Sequence, residues 1–99
     1  MAYKIEFADC VKEHFKHLNA SQRSLLMDGI GKQLLYEPLK ETRNRKPLRP
    51  NPVAPWELRI GNLRAFYDIT SDEPKVVKIL AVGYKKGSVL FIAGKAVKL

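Results

Sequence analysis

Cysteine is almost absent from this 99-residue chain. Cys10 stands alone, so no internal disulfide can staple the fold, and a reducing cytoplasm is the expected compartment. Long apolar runs are missing too. The longest, Ile79 to Val82 and Val89 to Ala93, are far too short to cross a bilayer, so no membrane partner is expected. Met1 is followed by Ala2-Tyr3-Lys4-Ile5-Glu6, which lacks the basic-then-apolar order of a secretory signal. Acidic residues are scarce: 10 Asp+Glu stand against 18 Lys+Arg, a net charge of +8. Six Gly and six Pro exclude a collagen-like chain or a long coiled coil. What remains, 45% hydrophobic and 28% charged, is ordinary globular composition, and the length allows one domain, residues 1–99, with one core.

The positive charge is unevenly spread. Residues 1–39 balance Lys4, Lys12, Lys16, Arg23 and Lys32 against Glu6, Asp9, Glu13, Asp28 and Glu37. Residues 40–64 carry Lys40, Arg43, Arg45, Lys46, Arg49, Arg59 and Arg64 against only Glu41 and Glu57. Arginine offers a planar fork suited to phosphate oxygens, whereas lysine acts as a point charge. Arginines concentrated in one stretch therefore suggest a phosphate-binding surface and an acidic partner.

Period-two alternation over Tyr3-Lys4-Ile5-Glu6-Phe7 predicts a half-buried strand. Asp9 is a candidate N-cap for a short helix with Val11, Phe15 and Leu18 along one stripe. Asn19 and Gln22 have capping-box spacing and would open a second helix running to about Glu37, lined by Leu26, Ile30 and Leu34 and ended by Pro38. Gly29 and Gly31 inside it suggest close approach of another backbone or a loosened helix. Residues 39–55, with Pro47, Pro50, Pro52 and Pro55 among basic side chains, read as a long, extended functional loop. Trp56-Glu57-Leu58-Arg59-Ile60 alternates as a strand, Gly61-Asn62 is a two-residue hairpin turn with glycine first, and a strand follows from Leu63 to Thr70. Ser71-Asp72-Glu73-Pro74 reads as a turn, Lys75 to Tyr84 as the longest strand, and Ser88 to Ala93 as a last one. The expected class is α+β, ordered β-α-α-β-β-β(-β), with a helical hairpin on one face of an antiparallel sheet.

Cys10, His14 and His17 share a helical face at metal-ligand spacing, yet no fourth ligand lies near, so they read as a border to the apolar stripe. No metal or other cofactor is expected. Glu57 reads as a solvated, outward strand residue. Arg59 and Arg64 flank the hairpin turn, Lys85 and Lys86 end the long strand, and Arg43, Arg45, Lys46 and Arg49 fill the preceding loop. Trp56 and Phe66 read as core, whereas Tyr67 and Tyr84 carry hydroxyls that need partners. With Tyr84 available to stack on a base, these cations form a candidate nucleic-acid surface.

The segments Glu41-Thr42-Arg43-Asn44-Arg45-Lys46-Pro47-Leu48-Arg49, Trp56-Glu57-Leu58-Arg59-Ile60-Gly61-Asn62-Leu63-Arg64-Ala65-Phe66-Tyr67-Asp68-Ile69 and Lys78-Ile79-Leu80-Ala81-Val82-Gly83-Tyr84-Lys85 resemble the RelE/ParE superfamily of toxins from bacterial type II toxin–antitoxin systems. The resemblance implies a RelE-like fold and one of two activities. RelE-like members are endoribonucleases that cut mRNA in the ribosomal A site and inhibit translation, and ParE-like members poison DNA gyrase. It places Arg59 at a central-strand basic position, Arg64 at the arginine after the turn and Lys85 at the basic residue after the long strand, the three expected catalytic residues. RNA contacts are then expected from Arg43, Arg45, Lys46, Arg49, Lys86 and Tyr84. Phe91 falls where members often carry a C-terminal Tyr or His, and a phenyl ring moves no proton. The implied partners are a small antitoxin protein, the ribosome and mRNA; a monomeric free toxin is expected from the residues themselves, since no strongly apolar helix face is left over once the core is built. A gyrase inhibitor, or a weakly active chain that mainly binds its antitoxin, is the alternative.

Overall fold

The computed structural model describes residues 3–70 and 75–99. The chain runs β1 (Lys4–Phe7), α1 (Cys10–Lys16), α2 (Ala20–Leu34), β2 (Arg45–Pro47), β3 (Trp56–Ile60), β4 (Leu63–Ile69), β5 (Val76–Lys86), β6 (Val89–Ile92) and β7 (Lys95–Val97). A strand, two helices and then an antiparallel sheet is the α+β order expected from the sequence. The turn expected at Ser71-Asp72-Glu73-Pro74 lies outside the described residues.

The sheet order is β2-β3-β4-β5-β6-β7, and β1 joins it by pairing in parallel with β5. Strand β5 is long enough to carry two partners along one edge, β1 at Val76 to Ile79 and β6 at Tyr84 to Lys86. On its other edge it pairs with β4, with a register shift that leaves Leu80 as an extra residue between Ile79 and Ala81.

Two elements escaped the sequence reading. Strand β2 lies inside the proline-rich stretch, pairing Arg45, Lys46 and Pro47 with Leu58, Glu57 and Trp56. It sits at the sheet's edge, where a proline without an N–H costs no ladder bond. Strand β7 follows the Ala93-Gly94 turn, both residues at positive φ. The helix boundaries also shift. Helix α2 stops at Leu34 rather than near Glu37, and the Leu35 carbonyl accepts from the Tyr3 N–H instead of continuing the helix. The capping box forms as expected, Asn19 Oδ1 accepting from the Gln22 N–H and Gln22 Oε1 from the Asn19 N–H. Asp9, however, takes a helical backbone conformation and makes no side-chain cap.

Helices α1 and α2 cover one face of the sheet. There Val11, Leu26, Ile30 and Leu34 meet Leu58, Leu63, Ala65, Tyr67, Val77, Ile79 and Val82. A side chain, not a backbone, explains Gly29: a Cβ there would lie 1.8 Å from Ile60 Cδ1, whereas Gly31 faces open space. Leu25 and Met27 stay exposed on α2, so an apolar fringe is left over that the sequence reading did not expect. A second, smaller core lies on the opposite face, where Phe66 and Ala81 meet Ala54, Leu90 and Ile92.

Between β1 and β6 the edge of β5 has no strand partner, and α1 supplies one. The Cys10 thiol donates to the Leu80 carbonyl at 3.4 Å, and His14 Nδ1 accepts from the Val82 N–H at 3.3 Å. Two of the three residues at metal-ligand spacing are thus engaged with backbone, and no group of three His, Cys, Asp or Glu among the described residues is arranged to hold a metal. Burial, with His17 nearby, lowers the His14 pKa from 6.5, and Glu13 opposes that shift. An unfolded His14 takes a proton as pH falls through about 6.5, while the folded one stays neutral, so acidification favours the unfolded chain. The melting temperature should fall on lowering pH from about 7.5 to about 5.5. His14→Gln should flatten that fall, and an equally steep fall in the variant would assign it to other groups.

Candidate functional site

The two-residue turn at Gly61-Asn62, with Gly61 at φ +57°, pairs Ile60 with Leu63 and therefore Arg59 with Arg64. Because Trp56, Leu58 and Ile60 pack toward the helices, Glu57 and Arg59 point to the opposite face. Register then assembles one charged strip there. Lys46 stands opposite Glu57, Arg59 opposite Arg64, and Arg64 opposite Gly83, two residues before Lys85 on the same side of β5.

Two arginines directly across a sheet repel each other. Glu57 offsets this repulsion from beneath. It is 3% exposed rather than solvated, a correction to the sequence reading. Its Oε1 lies 2.9 Å from Arg64 Nε and its Oε2 3.4 Å from Arg59 Nε. The Arg64 contact is an ion pair without an aligned hydrogen bond, because the Nε–H is not aimed along it. Arg64 is anchored further by Nη1, which donates to the Gly61 and Leu63 carbonyls at 2.8 and 2.9 Å. Its Nη2 makes no bond among the described residues and keeps contact with solvent. Burial lowers the Arg64 pKa, and Arg59 adds to that effect while Glu57 opposes it. A guanidinium stays charged in proteins regardless. The result is one partly exposed arginine (the Arg59 side chain is 44% exposed, its Nε donating to Glu57) beside one nearly buried arginine, over one buried carboxylate. Such a strip suits an oxyanion that needs two or more donors.

The other expected residues divide by face. Lys46 belongs to the strip, its Nζ 3.5 Å from Glu41 Oε2, and Lys85 lies there half-buried, its N–H donating to the Asn62 carbonyl. Arg49 is exposed farther along the same side, beside a cavity of about 420 Å³. Arg43 is exposed in the loop before β2. Arg45 points the other way, donating from Nη1 to the Gln33 carbonyl at 2.5 Å near the end of α2. Lys86 is exposed on the far side of β5, and Tyr84 stacks there on Phe91 with ring centroids 5.4 Å apart. Tyr67 is fully buried among the helices' contacts, its hydroxyl donating to the Pro38 carbonyl at 2.5 Å. Burial pushes its pKa well above the usual phenol range. Neither phenol shares a face with Arg59 and Arg64.

No family model matches the sequence, and no curated protein matches it either. A solved structure does. A chain in the crystal structure of the toxin–antitoxin complex RelBE2 from Mycobacterium tuberculosis aligns with a TM-score of 0.71 and 27% sequence identity, over 86% of this chain and 100% of that one. The fold of this chain is RelE-like. The RelE-like fold accounts for the β1-α1-α2 entry and the antiparallel sheet that carries the strip. No helix among the described residues of this chain is long and apolar enough to cross a membrane.

Proposed function

We propose that this chain is the toxin of a toxin–antitoxin pair and a ribosome-dependent endoribonuclease that cuts mRNA and so inhibits translation. The observation that carries this reading is the cross-strand pair Arg59–Arg64, held over Glu57 on the sheet face away from the helices. Attack of a ribose 2′-hydroxyl on the neighbouring phosphate builds negative charge on the phosphoryl oxygens. Fixed guanidinium donors stabilise that charge most where it is greatest, in the transition state. Lys85 is the amine nearest in register to Arg64 and serves as the proton-exchanging group; Lys46 and Arg49 extend the contact to flanking phosphates. The ribosome supplies the alignment of the mRNA, so the toxin need not orient its substrate alone. A small acidic antitoxin neutralises the same basic surface, consistent with the likeness to a chain of a toxin–antitoxin complex.

Induced expression in a bacterial host, with primer extension on a translated reporter and an untranslated control, tests this directly. Cuts should be confined to translated codons. Arg59→Ala should reduce cutting about tenfold without a change in melting temperature, since Arg59 is the exposed member of the pair. Cutting undiminished in that variant would remove the arginine pair from the chemistry. The placement of Tyr67, Tyr84 and Phe91 off the Arg59–Arg64 face favours a second reading, ParE-like inhibition of DNA gyrase, which needs no proton donor. Growth arrest with intact mRNA would support it.

A further inference from the structure

We infer that the cavity between residues 48–55 and the sheet is a nucleobase pocket that prefers a base offering an amino group, such as cytosine, to uracil. The inference rests on the reading of the Arg59–Arg64 face as an RNA surface. The cavity, about 420 Å³, has apolar walls from Leu48, Val53, Ala54 and Leu80, and Arg49 and Asp68 at its edge. That volume lies within the range of pockets that take ring-sized ligands.

Position links it to the strip. Side chains at 64, 66 and 68 of β4 share one face, so Asp68 lies about 13 Å along the strand from Arg64. A single strand whose phosphate rests on Arg59 and Arg64 can lay a neighbouring base there. The loop wall is formed in advance. Asn51 Oδ1 accepts from the Val53 and Ala54 N–H groups at 2.8 and 3.0 Å, and Nδ2 donates to the Arg49 and Ala54 carbonyls at 2.7 and 2.9 Å. A preformed wall spares the ordering cost of binding.

The polar pair at the edge sets the preference. A carboxylate only accepts and a guanidinium only donates. Asp68 is exposed, and its Oδ1 already accepts from the Ile69 N–H at 2.7 Å, leaving the second oxygen for a ligand. The Arg49 side chain is exposed and forms no ion pair among the described residues. Cytosine presents N4–H₂ to the carboxylate, as it does in DNA readout. Uracil presents a carbonyl oxygen at the same ring position, which a carboxylate repels. The Asp68 carboxylate at the cavity's edge repels an acidic side chain of a protein, whereas a neutral base meets no such repulsion and gains its contact there.

Fluorescence anisotropy with labelled hexamers of cytidylate and of uridylate, titrated with the purified chain, tests the pocket without requiring cleavage. Cytidylate should bind about tenfold more tightly. Asp68→Asn, a surface change whose amide donates as well as accepts, should bring the ratio close to one, whereas Arg59→Ala should weaken both ligands and keep the ratio. Equal binding of the two hexamers, or a ratio unmoved by Asp68→Asn, overturns the pocket even if translated mRNA is cut. A ratio that responds to Asp68→Asn supports it even if no mRNA is cut. An Ala54→Phe variant that fills the cavity and blocks antitoxin binding while keeping the ratio would assign the cavity to a protein partner instead.

Discussion

Replacing Glu57 with alanine should lower stability by about 3 kcal/mol, read from urea unfolding with an unchanged slope. The size follows from what is left behind. Both carboxylate oxygens face arginines, and among the described residues Glu57 is the one buried acid in the strip formed by Lys46, Arg59, Arg64 and Lys85, since Glu41 beside Lys46 is exposed. Arg59 can turn toward water, because its side chain is 44% exposed. Arg64 cannot do so readily: its side chain is 11% exposed and its Nη1 is bound to two carbonyls of its own hairpin. A buried guanidinium without its counter-ion is therefore the main cost. Adding Arg64→Leu to Glu57→Ala should recover part of the loss, since both buried charges then leave together. A single-variant loss under about 0.5 kcal/mol would show that the carboxylate does not anchor Arg64. The same logic bears on function. Arg64→Ala strands the buried carboxylate with one partly exposed partner, so a loss of toxicity in that variant mixes folding with chemistry, and Arg59→Ala is the cleaner probe.

Much of this arrangement was legible in the sequence because turn length and alternation are local signals. The Gly61-Asn62 turn is visible in its two residues, whereas the sequence leaves the register open; the pairing of Ile60 with Leu63 is what puts Arg59 opposite Arg64 on one side. The Asn19–Gln22 box marked the start of α2 for the same reason. What stayed hidden depends on tertiary context. Glu57 alternates like a solvated strand residue, and only the two arginines converging above it make its burial tolerable. Strand β2 was masked by Pro47, which an edge position accepts, and β7 by its three-residue length. Arg45 looks no different from Arg43 or Arg49 in composition. Its pairing opposite Leu58 rather than Glu57 is what turns it toward Gln33 and away from the strip. The extra residue Leu80 could not be read either, although it decides that Ala81, Gly83 and Lys85 face the arginines while Val82 and Tyr84 face the helices.

Gly83→Ala should be the other severe variant, with a melting temperature about 10 °C or more below the native value. A Cβ at this position would lie 2.1 Å from the Phe91 carbonyl oxygen and 3.0 Å from Ile92 Cγ1. The first contact is with backbone, so no side-chain rotation relieves it. Strand β6 would have to recede, and its next residues are committed: Phe91 pairs with Tyr84, Leu90 with Lys85 and Val89 with Lys86. Receding also pulls Leu90 and Ile92 off Phe66 and Ala81, and that second core is too small to lose two of its members. The core under the helices contains none of Phe66, Ala81, Leu90 and Ile92 and meets β6 only through Tyr84 at its margin, so damage should be regional. Hydrogen exchange should therefore show β6 and β7 losing protection in the variant while α2 and β4 keep theirs. Lys85, two residues on from Gly83 on the Arg64 side, would shift at the same time, and under the proposed function RNA binding should weaken beyond what the stability loss explains. An unchanged melting temperature with β6 still protected would mean that β6 can stand off from β5 without harm, and that Lys85 owes its position to the Asn62 carbonyl alone.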